Sequence, residues 1–130
     1  MTYSMGPKSV LVVEDDVTIN QTLCAILEVE GYRATCVTNL SQARRALGHD
    51  TPSVVLLDLM LNDDESGETL LEELAARDGA PPVVVFSASQ HAKSVASRYG
   101  VDLVAKPFDV DDLLEALARG IADGRVPFRR

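Results

Sequence analysis

Short β-branched apolar runs alternate along this chain with segments whose apolar residues recur every three or four positions. Ser9 to Val13, SVLVV, reads as a strand. Ile19, Leu23, Ile26 and Leu27 follow at helical spacing, and Gly31 is a stop signal. Arg33 to Val37 is a weaker strand, and Leu40, Ala43, Ala46 and Leu47 mark a second helix ending near Gly48. Val54 to Leu59 is a continuous apolar run interrupted by Asp58. Leu70, Leu71 and Leu74 give a third helix, with Ser66 or Asp64 as its N-cap. Pro81 and Pro82 precede a fourth strand, Val83 to Phe86. A fourth helix, about Gln90 to Tyr99, has a thin apolar stripe. Leu103 to Ala105 is a fifth strand, and Val110, Leu113, Leu114, Leu117 and Ile121 mark a final amphipathic helix.

Five strands alternating with five helices predict an α/β fold, a parallel sheet covered on both faces with right-handed crossovers. Strands buried on both faces should be apolar throughout, as VLVV, VVLLDL and VVVF are. The chain shows no internal repeat, low-complexity segment or interdomain linker. The tail, Asp123 to Arg130, is too short and polar to add another element.

At 130 residues and 46% hydrophobic composition, the chain suits one domain with one core. The net charge of −8 argues against a nucleic-acid surface and is compatible with a cation site or a basic protein partner. No apolar run is long enough to span a membrane, and the N-terminal MTYSMGPKS lacks signal-peptide features. Cys24 and Cys36 form no CxxC pair and lie in apolar contexts, so they read as reduced core residues of a cytosolic protein. His49 and His91 have no ligand spacing and read as surface residues.

An open parallel sheet binds ligands beyond the carboxyl ends of its strands. The first strand ends in Glu14, Asp15 and Asp16, and the third near Asp58. The fourth ends in Ser87, Ala88 and Ser89, and the fifth in Lys106, Pro107 and Phe108. If those strands are neighbours, acids, a hydroxyl and an ammonium converge on one edge. Glu14, Asp15 and Asp58 then form a hard-oxygen cluster suited to Mg²⁺. Lys106 adds a point charge for a phosphate or for Asp58 itself. A carboxylate placed this way can act as a nucleophile and form an acyl phosphate. Ser87 and the backbone N–H groups after Asp58 and Ser87, that of Ala88 included, would donate hydrogen bonds to the phosphoryl oxygens. Each residue alone also has a structural reading: Asp16 as a helix cap, Lys106 as the partner of one acid, Ser87 as a turn residue.

The pieces LVVEDD (Leu11 to Asp16), VVLLDLML (Val54 to Leu61), VVVFSAS (Val83 to Ser89) and VAKPFD (Val104 to Asp109) resemble, in order and spacing, the receiver domain of two-component response regulators. The resemblance covers residues 8–122 as the domain, with tails at 1–7 and 123–130. It implies a flavodoxin-like (βα)5 fold with strand order 2-1-3-4-5. It implies Asp58 as phosphoacceptor and Mg²⁺ ligand, Asp15 as a direct ligand, Glu14 acting largely through water, and the Met60 carbonyl completing the set. Ser87 would be the switch hydroxyl, Lys106 the phosphate-binding lysine, and the Lys106–Pro107 bond cis. The donor would be a histidine kinase or histidine phosphotransfer protein. The output would be a downstream protein bound on the face of the fourth helix, fifth strand and fifth helix, without direct contact to nucleic acid or membrane.

Three positions depart from the family pattern. Leu103 stands where the family usually has Tyr or Phe. Asn62 replaces a proline, and the loop reads NDDESG with Gly67 one place late; its acids Asp63, Asp64 and Glu65 read as solvated. Gly100 lies one residue nearer the lysine than usual. None of these removes a reactive group. Met60 and Ser89 occupy positions that tune phosphoryl lifetime, and neither would orient a hydrolytic water, so the phosphorylated state is expected to last minutes or longer. Two other readings remain: a receiver-like scaffold that signals by binding alone, and an aspartyl-nucleophile phosphatase, for which Met60 stands where an acid is usual. The native-looking Met1 and polar tail favour a stand-alone regulator over a fragment of a longer protein.

Overall fold

The chain runs β1 (Ser9–Val13), α1 (Val17–Val29), β2 (Arg33–Val37), α2 (Leu40–His49), β3 (Val54–Asp58), α3 (Gly67–Ala75), β4 (Val83–Ser87), α4 (His91–Tyr99), β5 (Asp102–Ala105) and α5 (Val110–Asp123). This is a computed structural model, and it describes residues 6–61 and 66–129. The expected strand order holds: the five strands form one parallel sheet ordered β2-β1-β3-β4-β5. The central strands β3 and β4 are buried at every position, which is why they are apolar up to their last residues, Asp58 and Ser87.

Alternate residues of each strand feed two cores. Leu11, Val13, Val55, Leu57, Val83 and Val85 pack with α2, α3 and α4. Val10, Val12, Val54, Leu56, Val84 and Phe86 pack with α1 and α5. The two-residue period of a strand makes this division. Side chains cap four of the helices. Asp16, Asn39, Ser66 and Asp109 accept from the N–H groups of Ile19, Gln42, Glu68 and Asp111 respectively. Ser66 is therefore the cap of α3; Asp64, with Asn62, Asp63 and Glu65, lies outside the described residues. Gln90 at the start of α4 makes no such bond.

The cysteines correct the sequence reading. Cys24 on α1 and Cys36 on β2 are joined in a disulfide, with Cα atoms 6.5 Å apart. Both are half-buried rather than core residues. The β1–α1–β2 crossover lays α1 along β2, so residues 12 apart in sequence meet without a CxxC motif.

The tail adds no helix or strand, yet it is packed. Arg125 O accepts from Val83 N–H at 3.1 Å, and Phe128 N–H donates to Tyr99 O at 2.9 Å. Pro127 is buried and Val126 packs on the larger core. Gly100 ends α4 with φ +69°. A side chain there would strain the backbone and run into the Phe128 ring. Only Val101 separates this turn from β5, which accounts for the short approach to Lys106.

Candidate functional site

The sheet order places the ends of β1, β3 and β4 side by side, with β5 beyond. Asp58 is the last residue of β3, and only 2% of it is exposed. Glu14, one residue past β1, is fully buried. Lys106 Nζ donates to Glu14 Oε1 at 2.8 Å and to Asp58 Oδ2 at 3.1 Å, across 92 and 48 residues of sequence. The same ammonium stands 4.3 Å from the centroid of the Phe86 ring, and Phe108 meets that ring edge-on. The Lys106–Pro107 peptide is cis, as expected.

A carboxylate oxygen from each of Glu14, Asp15 and Asp58 lies within 4.8 Å of the others. Glu14 Oε2 is buried and accepts no hydrogen bond among the described residues. Such a buried acceptor is costly unless something satisfies it. Three hard oxygens close together, on residues that include the unsatisfied Glu14 carboxylate, fit a small divalent cation such as Mg²⁺.

Electrostatics point the same way. Burial pushes the Glu14 carboxyl up to about 8, and the neighbouring Asp58 pushes it further than Lys106 pulls it down. For Lys106, burial alone would lower the ammonium. The hydrogen bonds it donates to Glu14 and Asp58, with the charges of those two acids, outweigh burial and leave it above its usual value. Ionising Glu14 in this cluster is therefore unfavourable, and Lys106 alone does not offset burial and the neighbouring Asp58.

Met60 N–H donates to Asp58 Oδ1 at 2.9 Å, so the residue expected as a carbonyl ligand also orients the Asp58 carboxylate. Met60 and Ser66 form an isolated bridge across the β3–α3 loop. The cleft of about 330 Å³ is lined by Glu14, Asp15, Asp58, Met60, Ala88 and Lys106, with Asp16 and Ile19 at its side. At roughly 30 Å³ per water, it has room for a hydrated cation beside a phosphoryl group. Ser87 is 2% exposed and does not line the cleft; its Oγ accepts from Ser89 N–H at 3.1 Å. Leu103 packs on the larger core from β5.

Asn20 has no role in the sequence reading. The structure buries it on α1, with its carboxamide donating to Glu14 O at 3.0 Å and Val37 O at 2.9 Å. A signal was available: Asn20 precedes Leu23 and Leu27 by three and seven residues, so it is a polar residue on a buried helical stripe.

A family model described as the response regulator receiver domain matches residues 10–118. The transcriptional regulatory protein KdpE of Staphylococcus aureus is 34% identical over 107 residues, 80% of this chain and 46% of that protein. The sensory transduction protein RegX3 of Mycobacterium tuberculosis is 35% identical over 108 residues, 82% of this chain and 47% of that protein. The chain thus spans about half the length of these curated relatives. The crystal structure of NtrX from Brucella abortus has a TM-score of 0.83 at 29% identity, over 93% of this chain and 28% of that one. A receiver domain protein from Methanospirillum hungatei shares the fold, with a TM-score of 0.81 at 24% identity over 91% of this chain and 96% of that one.

Proposed function

The chain belongs to the response regulator receiver domain family, and from that premise we propose that Asp58 takes a phosphoryl group from a histidine kinase or histidine phosphotransfer protein. The observation that supports this best is the placement of Asp58. Its carboxylate ends β3 inside an acidic cleft, with one oxygen on Met60 N–H and the other on Lys106.

The proposed step is a displacement at phosphorus. An Asp58 carboxylate oxygen forms the new O–P bond while the bond to the donor's imidazole nitrogen breaks and its electron pair leaves with the ring. Lys106 would neutralise phosphoryl oxygens, and the N–H of Ala88 and the hydroxyl of Ser87, once turned into the cleft, would donate to them. Asp15, Asp58 and the Met60 carbonyl would hold Mg²⁺, with Glu14 acting largely through water. Mg²⁺, when bound, supplies the positive charge that lets carboxylates and an incoming phosphoryl group share the cleft.

The output we assign to the face of α4, β5 and α5, which would bind a downstream protein when Asp58 is phosphorylated. The buried stripe of α4 (Ala92, Val95, Ala96 and Tyr99) is small apart from Tyr99, which supports a readily shifted element. With Leu103 in place of a ring, its response would run through packing against the core rather than through an aromatic swing. The chain would then be a signalling switch whose only chemistry is its own phosphorylation and dephosphorylation.

Incubation with Mg²⁺ and acetyl phosphate, followed by mass spectrometry, tests this reading. The unaltered chain should gain one phosphoryl group, and Asp58→Ala should gain none. An unmodified chain, or equal labelling of Asp58→Ala, would overturn it; the first result is also what a binding-only scaffold predicts.

A further inference from the structure

Four polar or charged side chains are buried among the described residues: Glu14, Asn20, Asp58 and Ser87. Three belong to the proposed phosphoacceptor site. The fourth, Asn20, is 6% exposed and lies on a helix, where asparagine is a poor former and an apolar side chain would pack without a desolvation cost. Its bonds show what it does. Strand pairing of β1 with β2 and β3 ends at Val13. Beyond it, Glu14 N–H donates to Val37 O at 3.1 Å. The Asn20 carboxamide then gives one hydrogen to the same Val37 carbonyl and the other to the Glu14 carbonyl.

The backbone of Glu14 is therefore held at both its N–H and its C=O. The second of these bonds fixes the peptide that joins Glu14 to Asp15, just where the sheet no longer does so. The peptide orientation sets where both acids project. One side chain from α1 thus ties the backbone of the acidic pair to the end of β2.

We propose that Asn20 is a positioning residue for the divalent-cation centre, acting through the Glu14–Asp15 peptide. This rests on the reading of Glu14, Asp15 and Asp58 as that centre. Outer groups that orient metal ligands change metal affinity by about 10–100-fold when removed. Asn20→Ala and Asn20→Ser should each bind Mg²⁺ at least about tenfold more weakly than the unaltered chain.

The test is calorimetric titration with Mg²⁺ alone, with circular dichroism and urea unfolding of each variant in parallel. A packing role would lower the unfolding midpoint and leave the affinity of the folded protein unchanged, and that result would overturn the proposal. A second measurement needs no variant: the side-chain amide resonances of Asn20 in the ¹⁵N-labelled unaltered chain should shift as Mg²⁺ binds. Unmoved resonances during saturable binding would also overturn it. Failure of the unaltered chain to bind Mg²⁺ overturns the reading of the centre itself, and this inference with it.

Discussion

Glu14 shows how one residue joins stability to chemistry. Its carboxyl, ordinarily at 4.5, is raised to about 8 by burial and by Asp58. Between those values the folded chain holds more protons than the unfolded chain. Stability of the metal-free protein should therefore fall as pH rises from about 4.5 to about 8, and level off above. Lys106 lies outside this window: its raised pKa gives stability that is lost only as pH climbs beyond 10.5. Glu73, lowered by its hydrogen bond from Arg44, contributes above 4.5 and loses that contribution only at lower pH. Urea midpoints measured in chelator across the pH series should show the decline, and Glu14→Gln should flatten it. A midpoint constant through the window would contradict the raised value. The acids and Lys106 were legible in the sequence as residue types at strand ends. The degree of Glu14's burial was not, because it depends on neighbours 92 and 44 residues away, Lys106 and Asp58.

At the scale of an element, the start of α3 is tied to Asp58 by the absence of a side chain. A Cβ on Gly67 would run into the carbonyl oxygen of Asp58 and stand 2.9 Å from Leu59 Cα. Gly67 N–H also donates to Leu59 O at 3.0 Å. Gly67→Ala should cost about 1–3 kcal/mol by overpacking and should weaken Mg²⁺ binding, since the loop bearing Met60 must shift. Denaturant unfolding and calorimetric titration measure the two effects. Gly48→Ala is the control: nothing stands within 4 Å of its Cβ, so neither effect is expected there. The sequence shows Gly67 as a glycine one place late in its loop. Its purpose becomes visible only when the end of β3 is seen against it. Element positions were otherwise well predicted, because caps such as Asp16 and Ser66 and the apolar stripes are local signals.

Across the whole molecule, two connections join parts that local pattern leaves separate. The tail bonds to β4 and to the end of α4, at the sheet edge opposite the acidic cleft. The Cys24–Cys36 bond closes a short loop in the unfolded chain. By the loop-entropy relation, such a closure stabilises the folded state by about 3 kcal/mol. Addition of a thiol reductant should lower the unfolding free energy by about that amount. The double substitution Cys24→Ser and Cys36→Ser should show no response to reductant. An unaltered chain equally stable with and without reductant would mean that the bond is not formed in solution.

The periodic alternation of apolar runs and helical stripes already dictated five parallel strands between two helical layers, and the reactive groups at their ends. Those features follow from interactions within a few residues, which the linear pattern records. Tertiary structure alone decided that Cys24 reaches Cys36, that Phe128 seats on Gly100, and that Asn20 holds the Glu14 peptide. Each depends on the distance and angle between packed elements, and no residue spacing along the chain encodes those quantities.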